Sequence, residues 1–353
     1  MSKSKILWTH RTWNPVVGCR KASAGCNRCY ALSMARRLAG GDADAKTTAA
    51  YRKVLNDAGE WNGEAVLMRN RLGDPLRWRK AGRCFPCSMS DLFLDSVPNK
   101  YKAAIFGVMA LADKQTFQVL TKRPAAIARF YRWLNNPRRD VDGSRAAWTK
   151  GGKMSRSVAV CLTQYGRYNE GRTSSPKLQS EREAIAWPLS NAWIGTTIEN
   201  ETTRYRLDDL LAIDAPVRFL SCEPLIGPLD FGDDLAAIDL VIVGGESGPG
   251  ARAMATPWAR SIRDQVLAVD PADYIPPRRS PVNLARRRPA FMFKQWGNKQ
   301  PLDQVKDDGV AIGRRIVEVH GERFAILPKT EAGRRLDGRT WEEMPDDVDQ
   351  VAV

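Results

Sequence analysis

The sequence predicts an α/β protein built as a (β/α) barrel, partial or irregular in the manner of a TIM barrel. Three observations lead there. Short, near-continuous apolar runs alternate with stretches of helical periodicity, the pattern of parallel strands covered by helices. Each apolar run stops abruptly at charged, hydroxylated or cysteine residues, as at the C-terminal edge of such a sheet, where sites are built. The chain's 353 residues suit a single barrel with insertions as well as two smaller domains.

Seven strands follow in order. Thr12–Gly18 ends at Cys19, and Arg83–Cys87 ends at Ser88, Ser90 and Asp91. Thr116–Leu120 ends at Thr121, Lys122 and Arg123, and Asn191–Gly195 at Thr196, Thr197, Glu199 and Asn200. Val217–Leu220 ends at Ser221, Cys222 and Glu223, Leu240–Val243 at Gly244, Gly245, Glu246 and Ser247, and Ala290–Phe293 at Lys294, Gln295 and Trp296. Helical spacing covers Val97–Asp113, Ala125–Leu134 (opened by Pro124), Glu201–Leu211 and Trp258–Val269. Two stretches break the pattern and read as basic surface insertions. Residues 138–190 are rich in Gly, Ser, Arg and Lys, with Trp148, Tyr165 and Tyr168 available to stack on bases. Residues 275–288 hold Arg278, Arg279, Arg286, Arg287 and Arg288. The barrel with its insertions spans residues 1–300. Residues 301–353 form a C-terminal extension, with a hairpin over 313–327 turning at His320-Gly321 and an acidic tail.

Composition narrows the function. The net charge is +15 and the sequence pI about 9.7, which favours a polyanionic partner. The absence of an 18-residue apolar run excludes a membrane-spanning helix, and the N-terminal residues lack a signal peptide's apolar core. The expected location is the cytoplasm. Seven cysteines, an odd number, argue for metal ligation or buried thiols over a disulfide framework.

Cys19-x6-Cys26-x2-Cys29 is the sharpest local motif. Three thiolates on one loop can hold three corners of a cubic iron–sulfur cluster and leave the fourth iron open to a small ligand. Zinc is the alternative, with a fourth ligand drawn from Cys84, Cys87 or His10. Cys84 and Cys87 fall within an apolar strand and read as packing; Cys161 and Cys222 stand alone. Only two histidines, His10 and His320, are present, and neither makes a nucleophile–base arrangement. The Gly-rich run Gly244–Gly250 follows a strand without being a dinucleotide fingerprint.

The strings TWNPVVGC(x6)CNRCY, SMSDLF, FQVLTKRP, RFLSCEPL, VIVGGESGPGAR and FKQWG, with GRRLDGRTWEEMP near the end, resemble the phage-protein family with a three-cysteine motif. That family is similar to a divergent branch of the radical S-adenosyl-L-methionine (SAM) enzymes. The resemblance implies a radical SAM barrel in which Cys19, Cys26 and Cys29 bind a [4Fe-4S] cluster and SAM chelates the fourth iron. An electron donor such as flavodoxin or ferredoxin would start the cleavage that yields a 5′-deoxyadenosyl radical. The sequence departs from the usual C-x3-C-x2-C spacing, and Ser88-Met89-Ser90-Asp91 stands where Gly-Gly-Glu is usual. The resemblance makes Ser88 and Asp91 candidates for the methionine end of SAM, and Thr197, Glu199 and Asn200 for its ribose. Lys122, Arg123, Glu223, Glu246 and Lys294 would face the substrate. A phage family and basic insertions imply DNA as that substrate, with the target base flipped out of the duplex. The implied reaction is isomerisation of an amino-acid-modified, hypermodified thymine, with Lys122, Arg123 and Glu246 holding the adduct's carboxylate and amine. Two rivals remain at this point: a zinc-stabilised nucleic-acid-binding protein without catalysis, and a radical SAM lyase repairing DNA bases.

Overall fold

The computed structural model describes residues 4–136, 156–168, 186–275, 288–305, 314–328 and 331–345. The chain enters on β1 (Arg11–Trp13) and β2 (Val16–Val17); β2 pairs antiparallel with β3 (Val66–Leu67). Between them lie the cysteine loop and two helices, α1 (Tyr30–Ala39) and α2 (Ala45–Lys53). From there strands and helices alternate: β4 (Gly82–Pro86), α3 (Asn99–Leu111), β5 (Gln115–Thr121), α4 (Pro124–Leu134), α5 (Arg156–Tyr168), β6 (Ala192–Thr197), α6 (Arg206–Leu211), β7 (Arg218–Cys222), β8 (Leu240–Gly244), α7 (Thr256–Ala268) and β9 (Ala290–Gln295).

β1 and β4 to β9 form one seven-stranded sheet, all parallel, with neighbours in chain order. The sheet curls into a half-barrel and stays open, which corrects the expected TIM-like barrel. The outer edge of β9 is already occupied: Met292 bridges antiparallel to Glu342, and Phe293 N–H donates to the Trp341 carbonyl at 3.0 Å. A strand edge paired in this way cannot return to β1, so closure is blocked at the last strand.

Strand alternation separates two apolar faces. Phe117, Val119, Ile194, Leu220, Val241, Val243, Phe291 and Phe293 face the helices and form the main core with Phe106, Phe130 and Ile262. Phe85, Trp193, Phe219, Ile242 and Met292 line the concave face. A barrel would fill that face with side chains from opposite strands. Here Trp8, ahead of β1, and Met344, beyond β9, pack into it, with Trp8 4.8 Å from the Phe85 ring.

The stretch 138–190 contains more than a surface insertion. α5 lies inside it, with Val158, Val160, Cys161, Leu162 and Tyr165 buried in the main core. Tyr165 is buried, and the Tyr168 ring meets Tyr101 edge-on at 4.9 Å. Neither ring is available to stack on a base; Trp148 lies outside the described residues. Beyond β9 come β10 (Lys299–Pro301), β11 (Ile316–Val319) and β12 (Glu322–Ile326), a small antiparallel sheet whose hairpin turns at His320 and Gly321, both at positive φ. The last pair, β13 (Arg335–Leu336) and β14 (Arg339–Thr340), places Leu336 and Trp341 against the main core. Of the arginines in 275–288, only Arg288 falls among the described residues. It forms a two-pronged pair with Glu343 at 2.8 Å for each prong, so a partner within the chain already holds it. No helix among the described residues is long and apolar enough to cross a membrane.

Candidate functional site

The cysteine loop, residues 19–29, runs from the end of β2 to the start of α1 and lies over the C-terminal edge of the sheet. Cys29 is the N-cap of α1. Cys19, Cys26 and Cys29 are free thiols at intermediate exposure, while Cys84, Cys87, Cys161 and Cys222 are free and buried. The six residues between Cys19 and Cys26 are where the rest of the protein grips the loop, through three carboxylates from alternate strand ends.

The first grip comes from Asp91, beyond β4. Its Oδ1 accepts from Phe93 N at 2.9 Å and Thr121 Oγ1 at 2.7 Å. Its Oδ2 accepts from Lys122 N at 3.1 Å and Arg123 Nη1 at 2.8 Å. Arg123 Nη2 then donates to the Arg20 carbonyl at 2.7 Å. The second comes from Glu199, beyond β6 and fully buried. It accepts from Ser23 Oγ and Gly25 N, each at 2.7 Å, and pairs with Lys122 Nζ. Gly25 is required by this contact, since a Cβ there would stand 2.4 Å from Glu199 Cδ. The third comes from Glu246, beyond β8. It accepts from Arg252 N and Nε at 2.9 Å each and pairs with Arg252 Nη2, which also donates to the Ala24 carbonyl at 3.1 Å. Arg28 lies 3.8 Å from the same carboxylate.

The electrostatics favour anionic sulfur at one position. Burial pushes the Cys26 thiol up, but the Lys122 ammonium and backbone N–H groups outweigh it and hold the thiol below its ordinary value. Burial raises Cys19 to about 12, with the Asp91 charge adding to it against Arg123. Burial also opposes the charge of Glu199, yet Lys122, Ser23 and Gly25 N keep its carboxyl below the usual carboxylate range.

Glu223 and Lys294 grip no part of the loop. They reach toward one another from β7 and β9 across β8, with Nζ to Oε1 at 2.5 Å and small residual exposures of 16% for Lys294 and 12% for Glu223. Gly244 makes the crossing possible, because a Cβ on it would stand 2.6 Å from Glu223 Oε1. Trp8 Nε1 donates to Glu223 Oε2 at 3.2 Å, and Ser221 Oγ lies 3.4 Å from the same oxygen.

The remaining sequence candidates sit at the same edge with partners of their own. Ser88 Oγ exchanges hydrogen bonds with Asn14, and the Ser88 carbonyl accepts from Tyr30 OH at 2.6 Å. The Asn200 side chain accepts from Thr202 Oγ1 at 2.7 Å. Thr197 is buried, and its carbonyl accepts from Arg206 Nη1 at 2.8 Å. Sequence reasoning missed Arg206, Arg252, Ser23 and Gly25. Arg252 carries a readable signal, a cation placed six residues after Glu246 on one tight glycine-rich loop; Arg206, on α6, carries none. Among the described residues no three His, Cys, Asp or Glu side chains gather closely enough to hold a single metal ion. Burial raises the Cys84 and Cys87 thiols, Cys87 to about 12, and His10 Nδ1 accepts from Arg83 N at 2.9 Å.

No curated protein and no solved structure matches the chain. A family model does, over residues 3–274, which takes in the cysteine loop, all three gripping carboxylates and Glu223. The chain belongs to that family, the proteins of unknown function DUF5131.

Proposed function

We propose that the chain is a radical SAM enzyme acting on a base in DNA. The observation that carries the reading is the loop itself: three free thiols on eleven residues, held by Asp91, Glu199 and Glu246 from three strand ends of a parallel sheet. A tetrahedral zinc at about 2.3 Å from each sulfur needs its ligands about 4 Å apart. A cubic cluster binds each sulfur through a different iron and spreads them further. A structural zinc would also need a fourth protein ligand, whereas the three thiols complete a cubic cluster's protein ligands and leave one iron open. Cys19, Cys26 and Cys29 would hold it, with Lys122, Arg123 and Arg252 supplying positive charge around the thiolates. When bound, the cluster and SAM would supply a carbon-centred radical able to take a hydrogen atom from an unactivated C–H bond.

The chain's own residues then divide the work. The three carboxylates orient the loop and fix the thiols. Lys122, Arg123 and Glu246 serve the loop, so Glu223 and Lys294 become the groups for the charged ends of an amino-acid adduct. Glu223 would take the ammonium and Lys294 the carboxylate, which exchanges one internal ion pair for two with the ligand. An isomerisation of such an adduct on thymine is the reaction proposed. The charge of +15 supports a polyanion as the carrier of the base.

The test is anaerobic reconstitution with iron and sulfide, followed by metal analysis. About four irons and a brown chromophore are expected for the wild type. Cys19→Ala, Cys26→Ala and Cys29→Ala should each lose them, while Cys84→Ala retains them. One zinc per chain and no visible absorbance would replace this reading with a structural zinc site.

A further inference from the structure

We infer that Tyr30, the first residue of α1, is the platform on which a base of the DNA strand stacks beside the cysteine loop. The inference deepens the proposed function, because it rests on a DNA base being the group that the site receives. α1 buries Ala31, Leu32 and Ala35 with Ala50 and Tyr51 of α2, and exposes Tyr30, Ser33 and Arg37. Spaced three and four residues apart, the exposed three lie on one stripe of the helix. Tyr30 is 54% exposed, and among the described residues no aromatic ring or guanidinium is stacked on it.

An exposed tyrosine is common; what sets Tyr30 apart is that its ring is held in place. Its hydroxyl donates to the Ser88 carbonyl at 2.6 Å. Asn14 pins the same segment, with its Oδ1 accepting from Ser88 Oγ at 3.2 Å and Met89 N at 3.0 Å. Tyr205 is the comparison: it is 57% exposed, and among the described residues no hydrogen bond ties its hydroxyl. A ring tied at its far end has lost its rotamer freedom before a ligand arrives, so stacking on it costs little further ordering. Its place also suits a base. Tyr30 follows Cys29 directly, so a base on the ring lies beside a candidate cluster ligand. Ser88 follows β4, whose Phe85 packs on Trp8, and Trp8 Nε1 reaches Glu223. The ring and the Glu223–Lys294 pair therefore stand on one edge, linked through Trp8. The surrounding charge suits a strand. Residues 11–83, which include the loop, α1 and α2, hold fifteen bases against six acids, +9 of the chain's +15. Arg28 and Arg37 are exposed on either side of Tyr30 in the chain. A basic surface with a fixed aromatic ring is the combination that grips a single strand, phosphates on the charge and a base on the ring. An acidic protein would use the charge alone; the ring is what calls for a base.

The experiment uses the full chain without iron or SAM. It reads the fluorescence anisotropy of a labelled thymidine oligonucleotide and of a fully abasic strand of the same length, at several salt concentrations. Both strands carry the same phosphates; only the first has rings to stack, and a single strand presents them without the cost of flipping. Wild type should prefer the thymidine strand by about 5- to 150-fold, the range for one base stacked on an aromatic side chain. Tyr30→Ala should erase that preference and keep the dependence of affinity on salt, which reports phosphate contacts. Tyr30→Phe, which keeps the ring, should retain most of the preference. Tyr30→Leu, which keeps bulk without a flat face, carries the same expectation as Tyr30→Ala should that variant melt well below wild type. An undiminished preference in Tyr30→Ala and Tyr30→Leu, or an equal loss in Tyr30→Phe, would overturn the inference. In reconstituted protein, SAM should bind wild type and Tyr30→Ala alike; a loss there with the strand preference unchanged would give the ring to the cofactor's adenine and overturn it too. A wild type that binds both strands equally refutes the stacking alone, and one that binds neither refutes the DNA reading with it. The strand titration contains no iron, so failure of the cluster reading would leave its outcome untouched.

Discussion

Two sets of charged side chains stand on the same edge of the same sheet and do different things. Asp91, Glu199 and Glu246 rise from alternate strand ends and are turned onto the cysteine loop, each through a cation or directly to its backbone. Glu223 and Lys294 rise from β7 and β9 and hold only each other, with Trp8 and Ser221 alongside. The difference lies in how many bonds are already made. Asp91 accepts four hydrogen bonds from within the protein. Oε1 of Glu223 is buried and receives none in good geometry, only the nearby ammonium. A carboxylate whose oxygens are saturated by its own chain positions something; one whose oxygen rests on a single ammonium keeps capacity for another donor.

The largest effect expected to separate the two sets comes from Glu199. Removing it as Glu199→Ala leaves Lys122 and the buried Arg206 without their carboxylate, and breaking such a buried pair costs about 3–5 kcal/mol. Chemical denaturation should show that loss, and Cys26 in the folded variant should react faster with iodoacetamide than in wild type, because the carboxylate that opposes its thiolate is gone while Lys122 stays. Retention of wild-type stability would move Glu199 out of the positioning set. Next comes Gly25→Ala, which forces a methyl group onto the Glu199 carboxylate and should cost about 1–3 kcal/mol. It should reduce iron uptake without touching any cysteine.

Acid should act on the same contact, and the sign is fixed. The Glu199 carboxyl is held below its ordinary value of 4.5, so its contribution is complete above that value and lost as pH falls through the lower folded one. The stability gap between wild type and Glu199→Gln should therefore narrow only below about pH 4.5, in melting curves taken across pH 3 to 7. A gap that narrows instead toward alkaline pH would contradict the assignment.

The other set should behave in the opposite way. Replacing both members, as Glu223→Gln with Lys294→Met, removes an ion pair with no charge left over, which is commonly neutral for stability to within about 1 kcal/mol. The double variant should keep its iron and its melting temperature and lose turnover of the modified base. Smallest of all, Arg28→Ala removes a 3.8 Å pair whose arginine is 41% exposed and should shift stability by no more than about 0.5 kcal/mol.

Much of the sheet and its edge was legible from the residues. The apolar runs ending at Asp91, Lys122, Glu199, Glu223, Glu246 and Lys294 all reach one edge because parallel strands share a direction, whereas the run ending at Cys19 splits into β1 within the sheet and β2, which pairs antiparallel with β3 outside it. What each carboxylate touches was not legible, since that depends on which way the loop beyond β2 folds back. Gly25 reads as an ordinary loop glycine until Glu199 is placed beside it. Barrel closure misled for a related reason: strand count and alternation say nothing about whether the last edge is free, and Trp341 and Glu342 take it from more than forty residues downstream. α5 was missed where it could have been found. Val158, Cys161, Leu162 and Tyr165 follow helical spacing, but the arginines and glycines on either side weighed more in the reading.

The concave face has a consequence for how the molecule is made. Because the seven strands line up in the order of synthesis, each one emerging from the ribosome finds its neighbour already waiting, and the sheet can grow vectorially. Its inner lining cannot be finished that way. Trp8 precedes β1 and Met344 follows β9, yet both belong to the same small cluster. A nascent chain therefore carries Phe85, Trp193 and Phe219 uncovered on one side until Met344 has been translated. Chains stopped after β9 but before Met344 should bind a hydrophobic dye and recruit holding chaperones, where the finished protein does neither.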